Sequence, residues 1–492
     1  MHKPPFELDA GRRAQSTAVL VALALLLAGC AAVGPNYQPP PVALEPSFVR
    51  SVAAATPTAL SAAAVAQFWR GFNDAQLNGL VEQALAANTD IRIAQARLQE
   101  ARANRTGVDA AALPGVALES NATRTVRPST PSFGAPPQSR SERTYSYYDA
   151  GFVANWELDL FGRNRRASES AAATVAANEA GIYAAQVSVA AEVARNYLEL
   201  RGNQQRLEAA RQTLVNLRDT LRLTQVRLDA GRGTRLDTAR AENLVASTEA
   251  SLPALRLATE LNILRLATLS AQSPRVLFDR LALPAPMPGL PATDLAALPV
   301  GTPGQWLARR PDLAVAERQL AAATADVGIA VSDLYPRLSL SGLLGLNAAT
   351  IGTLAKSESL LYSLGVGVRW TPFDFGSLRA RIASSEARVA QSLAQYEKTV
   401  AVALEETEGA FSDFNYAAQR AERQTAALQS AQDAAKLSQL RFDAGVSDFL
   451  VLLDAQRQAL ASQDQLLQAQ QAVAVGLVNV YRTLGGGWAA TP

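Results

Sequence analysis

The sequence predicts an internally duplicated, mainly α-helical chain that also carries four strands of a membrane β-barrel. Three observations lead there. Two proline-free runs of helical pattern are far longer than the helices of an ordinary globular domain. Gly162 and Gly376 lie 214 positions apart, as do Gly231 and Gly445, so the glycines flanking each run are 69 positions apart in both copies. Alternating apolar and polar residues, the pattern of a half-buried strand, precede each run. A surface loop has no reason to keep its length through a duplication; a helix that docks at both ends does.

Length and composition agree with this. A chain of 492 residues would ordinarily hold several domains, but one duplicated unit accounts for the length better. The net charge of +2 gives no argument for a nucleic-acid partner. Residues 1–29 read as a signal peptide, with Lys3, Arg12 and Arg13 ahead of an apolar stretch, Ala18 to Ala28, too short to span a bilayer. It ends in Leu27-Ala28-Gly29-Cys30, which resembles the lipobox of bacterial lipoproteins and implies lipidation of Cys30. Residue 31 is Ala and not Asp, which in such lipoproteins implies delivery to the outer membrane. Residues 30–66 are then a lipidated N-terminus and an extended tether, since Val33 to Pro41 is too proline-rich for a helix.

The first repeat spans 67–271. Leu77, Leu80, Val81 and Ala84, then Ile91, Ala94 and Leu98, have helical spacing, with a break and N-cap at Asn88-Thr89-Asp90. Pro114 ends the helix. A β-hairpin is expected over 116–160, around an exposed loop rich in Pro, Ser and Gly from Val126 to Thr144. Its apolar faces are Val116, Leu118, Ser120 and Ala122, and Tyr148, Ala150, Phe152, Ala154, Trp156 and Leu158. A long helix over 162–230 follows, with Val193, Leu200, Leu207, Leu214, Leu221 and Leu228 at intervals of seven. At 1.5 Å per residue its length is roughly 100 Å. A return helix covers 235–269, and residues 272–304, with seven prolines, read as an irregular connector.

The second repeat, 305–488, replays the first. Asp312 and Pro336 lie 222 positions after Asp90 and Pro114, and the offset falls to 214 across the hairpin, so the second loop is 8 residues shorter. The hairpin is expected over 338–370, the long helix over 376–444 and the return helix over 447–484, with a tail at 489–492. The long helix keeps the phase of the first, with Thr407, Phe414, Ala421, Leu428, Ala435 and Phe442 on one face. Trp156 and Trp370 stand at equivalent strand ends, a placement suited to a membrane–water interface. Four strands cannot close a barrel and open edges are not tolerated in lipid, so other copies must complete the sheet. Two copies would supply eight strands and three would supply twelve.

Several motifs carry a family resemblance. They are the lipobox, Val33-Gly34-Pro35-Asn36-Tyr37, Trp156-Glu157-Leu158-Asp159-Leu160-Phe161-Gly162-Arg163, Arg309-Arg310-Pro311-Asp312-Leu313, Tyr335-Pro336-Arg337-Leu338-Ser339-Leu340 and Leu484-Gly485-Gly486-Gly487-Trp488. Together they resemble the outer membrane factors of the TolC type, in the NodT/OprM-like lipoprotein branch. The resemblance implies a homotrimer with a twelve-stranded barrel and a periplasmic α-helical coiled-coil tunnel. It further implies outer-membrane lipid, a periplasmic adaptor and an inner-membrane pump of the resistance–nodulation–division type as partners, and small-molecule efflux as the task. Family members constrict where this chain has Leu450 and Asp454, whose i, i+4 spacing puts both on one helix face. Asp448 is a further candidate for an acidic ring. The turns at Gly231-Arg232 and Gly445-Val446 resemble the family's adaptor-contacting tips.

The only His and the only Cys are His2 and Cys30, so a processed chain has no imidazole and no free thiol. That removes histidine triads, thiol catalysis and nearly all zinc sites, and neither enzyme activity nor a cofactor is expected. Within the channel reading, a duct for type I protein secretion is the alternative. An exported coiled-coil scaffold is more distant, because it leaves the amphipathic hairpins unexplained.

Overall fold

The computed structural model describes residues 32–41, 45–49, 66–126, 128, 139, 143–291 and 302–487. The chain forms two compact units. One comprises the chain up to Pro40 with Gln99–Ala177 and Glu317–Gln395; the other comprises Pro41–Leu98, Asn178–Ala316 and the chain from Tyr396. Each unit takes residues from both copies of the duplicated sequence, so the repeat does not divide the molecule into two bodies.

The first unit is built on an antiparallel four-stranded sheet of β1 (Gly115–Val126), β2 (Thr144–Leu158), β3 (Arg337–Ala348) and β4 (Leu360–Arg369). The strands follow one another in the order β1-β2-β3-β4. The register puts Leu118 opposite Phe152, Phe152 opposite Leu344 and Leu344 opposite Tyr362. Directly opposed residues share a face, so the apolar residues of both hairpins merge into one surface. Leu118, Phe152, Leu344, Tyr362, Leu364, Val366 and Val368 on that surface are all exposed. An exposed apolar face of this extent marks an interaction with lipid or protein. Among the described residues no helix is long and apolar enough to cross a membrane.

The same unit holds the tether. Arg166 Nε donates to Val33 O at 3.0 Å, and Arg166 Nη2 reaches Gly34 O at 3.2 Å and Asn36 Oδ1 at 2.7 Å. Gly34 has φ +89°, and a Cβ there would stand 2.5 Å from Gly328 Cα. Only glycine combines that dihedral with so close a backbone approach. Tyr37 donates to Glu317 at 3.0 Å. Position 380, the counterpart of Arg166 in the second copy, is Ala.

Helices make up the second unit: α1 (Ala75–Ala87), α2 (Thr89–Ala111), α3 (Arg163–Asp229), α4 (Arg235–Leu269), α5 (Pro274–Leu281), the short α6 (Pro303–Leu307), α7 (Pro311–Ser332), α8 (Ser377–Asp443) and α9 (Phe449–Thr483). Of these, α2, α3, α7 and α8 also lend residues to the first unit. The main core gathers Phe68, Phe72, Leu77 and Leu80 with Val193, Tyr197 and Leu200 of α3, Ile263 of α4, Phe411 and Phe414 of α8, and Leu477 and Tyr481 of α9. The heptad stripe faces inward. Val193, Leu200, Leu207 and Leu214 are buried, and Leu221 and Leu228 half-buried. In α8, Thr407, Phe414 and Phe442 are buried on the matching stripe.

Caps define the element ends. Asp74 accepts from Gln76 N at 2.8 Å and Leu77 N at 2.9 Å, and its other oxygen accepts from the Tyr197 hydroxyl at 2.8 Å. Asn88 Oδ1 accepts from Asp90 N at 2.8 Å, which opens α2. Arg310 is buried and donates to Asp312, Glu406 and Thr483 O, at 2.7, 3.1 and 3.2 Å. Arg309 lies over the Trp306 ring instead, 5.1 Å from its centroid.

One expectation is corrected. The proline-rich stretch 272–304 is not irregular throughout, because Pro274–Leu281 is a helix. Pro274 sits in the first turn, where its missing N–H costs nothing, and Leu277 and Leu281 are both fully buried one turn apart. Proline count alone suggested irregular chain; proline position decided otherwise.

Candidate functional site

The long helices reverse at two tips, both in the second unit. At the end of α3, Arg232 N donates to Arg227 O at 2.8 Å and Gly231 N to Leu228 O at 2.9 Å. At the end of α8, Val446 N donates to Arg441 O at 3.0 Å and Gly445 N to Phe442 O at 2.9 Å. Both are Schellman caps, and Gly231 and Gly445 hold φ +68° and +72°, the left-handed conformation that such caps need. Gly231, Arg232, Gly445 and Val446 are all exposed.

The tips are brought together beneath these turns. Phe442 and Phe449 pack with Leu452 of α9 and Ala241 of α4, and Leu221 of α3 and Leu453 close the cluster. The Arg227 guanidinium lies 4.1 Å from the Phe442 ring centroid, a cation–π contact across the two copies. Leu452 is buried, so the opposite side of α9 faces out. That side carries Leu450, 48% exposed, and Asp454 one turn later, also exposed. Asp448 is exposed at the N-cap of α9 and its side chain makes no cap hydrogen bond.

Leu450 and Asp454 border two grooves. One, about 390 Å³, runs along α4 past Arg240 and Asn243 to Arg457. The other, about 560 Å³, runs along α8 past Ala431, Ala434 and Ser438. Asp454 Oδ1 accepts from Arg457 Nη2 at 2.9 Å, with both side chains largely in solvent. The sequence reading did not single out Arg457 or Arg240. The i, i+3 spacing of Asp454 and Arg457 was the available signal for the first, whereas Arg240 is placed by the α4–α9 packing. Cys30 lies outside the described residues. Among the described residues no cluster of carboxylates could hold a metal ion.

A four-stranded sheet with a lipid-type face, joined to paired helices of 67 residues that end in matched tips, defines a subunit of an outer-membrane exit channel. The sequence belongs to the outer membrane efflux protein family, whose model matches residues 80–272 and 302–486. The pyoverdine export outer membrane protein OpmQ of Pseudomonas aeruginosa is 31% identical over 430 residues, covering 86% of this chain and 88% of that protein. Outer membrane protein OprJ of the same organism is 31% identical over 493 residues, covering 99% and 97%. Among solved structures, the outer-membrane channel OprN superposes with a TM-score of 0.85 at 39% identity, covering 93% of this chain and 99% of that one. The chain is an outer-membrane factor of the NodT/OprM-like branch.

Proposed function

We propose that three copies of this chain close a twelve-stranded barrel in the outer membrane, and that the long helices continue it as a passive exit duct in the periplasm. One observation carries the reading: the sheet presents a continuous apolar face to its surroundings, yet β1 and β4 each keep one unpaired edge. Such edges are not stable in lipid, and further copies remove them. A periplasmic adaptor and an inner-membrane pump of the resistance–nodulation–division type would deliver small molecules to it. Relatives named for export of pyoverdine and for efflux of solvents and toluene support small organic cargo. Cys30 would carry the lipid anchor, and the tether fastened by Arg166 gives that anchor a fixed origin.

Leu450 and Asp454 form the gate in this reading, with Asp448 as a second acidic position. Three leucines around an axis would make an apolar constriction, and three aspartates a negative ring that favours cations. The Arg457 contact does not oppose this, because an ion pair between exposed groups contributes little and exchanges readily. Gly231, Arg232, Gly445 and Val446 would be the surface offered to the adaptor.

Single-channel conductance in a planar bilayer tests the proposal. Wild type should give small cation-selective openings, and Asp454→Ala should widen them or weaken the selectivity. Openings indifferent to the substitution would move the gate elsewhere. Folded protein that never conducts would end the channel reading.

A further inference from the structure

The pairing of β3 with β4 repeats, pair for pair, that of β1 with β2 from Gly115 to Arg124. Gly115 stands opposite Asn155 in the first hairpin. Advancing the two strands by 222 and 214 positions turns that pair into Arg337 and Arg369, which stand opposite one another in the second hairpin. The same offsets carry Trp156 Nε1 donating to Ala112 O at 3.0 Å onto Trp370 Nε1 donating to Leu334 O at 3.0 Å. The joint between β2 and β3 therefore has a defined counterpart: the free edge of β4 against the free edge of β1 in another subunit.

We infer that β4 pairs with β1 of the neighbouring copy in the register that already joins β2 to β3, which sets Arg369 directly opposite the partner's Glu119. This rests on the oligomeric barrel proposed above and specifies its seam. Within the chain Asn155 faces Ser341. Moving the first forward by 214 and the second back by 222 gives Arg369 and Glu119. Val368 then meets the partner's Ser120, and Val366 the partner's Ala122, which keeps the apolar face continuous across the seam. A slip of one residue would turn that face inside out, so the nearest competitors are slips of two. Those would set Arg369 against Ala117 or Asn121.

The side chains at the free edges fit this register. Arg369 and Glu119 are both exposed, and neither has an ion pair or side-chain hydrogen bond among the described residues. Opposite charges placed directly across two strands stabilise the pairing. The internal joint is neutral at these positions and has its ion pair elsewhere, between Arg163 and Asp333 at 2.6 Å. The counterparts of that pair are Ser377 and Ala111, which carry no charge. Attraction has thus moved from the helix ends into the sheet.

Directly opposed antiparallel residues lie within the reach of a disulfide. The full-length double variant Glu119→Cys/Arg369→Cys, oxidised and run on a denaturing gel, should give covalent dimers and trimers. Wild type, with Cys30 as its one cysteine, should give none. A ladder from Ala117→Cys/Arg369→Cys or Asn121→Cys/Arg369→Cys instead would overturn the register and leave the trimer standing. No ladder from a protein of trimeric mass by light scattering would also overturn only the register. A monomeric mass for wild type would overturn the trimer and the seam together. Charge reversal covers a failure of the cysteine variants to fold. Arg369→Glu should lower the temperature at which the assembly dissociates, and adding Glu119→Arg should restore it. A double variant no better than the single one would rule the pair out.

Discussion

The two helix tips are built from the same turn and finished differently. Both close on a glycine of left-handed φ with the same pair of backbone hydrogen bonds. At the first tip the chain then re-enters helix through a full capping box. Thr234 Oγ1 accepts from Asp237 N at 3.2 Å, and Asp237 Oδ2 accepts from Thr234 N at 3.2 Å. Arg235 adds an ion pair to Glu242 at 3.2 Å. At the second tip Asp448 stands at the equivalent place with its carboxylate unused by the helix, and Val446, Leu450 and Val451 are exposed beside it. The first tip spends its polar groups on itself. The second leaves its carboxylate free, while exposed apolar side chains occur at both tips, Leu236 at the first and its counterpart Leu450 at the second.

That contrast can be broken most severely at the cluster that holds both tips. Phe442→Ala should destabilise the tip region by roughly 3–5 kcal/mol, as deletion of a buried aromatic does. Hydrogen exchange should then accelerate at both tips together, and acceleration at one alone would show that they do not share a core. A second test separates the tips from the main core. Burial pushes the Tyr197 phenol up from 10.0 to about 12, with Asp74 raising it further and Arg201 acting the other way. Because the folded state holds this proton more tightly, its contribution is complete below pH 10 and lost as pH rises through 12. The loss is roughly 2–3 kcal/mol. Tyr197→Phe should flatten the stability decline across that window in denaturant titrations, leaving the residual slope from Tyr481, which burial also raises.

Gly231→Ala and Gly445→Ala should each cost about 1 kcal/mol, because a Cβ at either site meets open space and only the dihedral objects. Equal losses in thermal unfolding would confirm that the turns themselves are alike. The caps should then tell the tips apart. Thr234→Ala should cost about 1 kcal/mol and fray the first turn of α4, whereas Asp448→Ala should change stability by less than about 0.5 kcal/mol. Amide exchange over 235–238 and 449–452 reads the two separately. Equal fraying of α9 by Asp448→Ala and of α4 by Thr234→Ala would show that the two tips are capped alike.

Much of the fold was legible because its signals are local. The return helix of the first copy, Arg235–Leu269, follows the turn at Gly231 as expected, and Asn88 caps α2 as its neighbours suggested. The apolar faces of the first hairpin could be read from alternation, since side chains in a strand point alternately. Less of the candidate site was legible. Leu450 and Asp454 share an exposed face, but the contact with Arg457, the grooves beside them and the Arg227–Phe442 stacking depend on which helices are neighbours. Proline count misled at 272–304, where the burial of Leu277 and Leu281 holds a helix that local propensity does not announce.

The sequence by itself determined the duplication, the lengths of the long helices and the two faces of the strands in the first hairpin. These are properties of spacing along the chain, and backbone geometry converts spacing into helix and strand directly. Only the tertiary structure decided that β2 pairs with β3, that both compact units mix the two copies, and that one tip closes its own polar groups while the other leaves them open. Those outcomes depend on contacts between residues far apart in sequence, and many such pairings are compatible with the same local pattern. Packing selects one of them by burying the most apolar surface while leaving the fewest polar groups without partners.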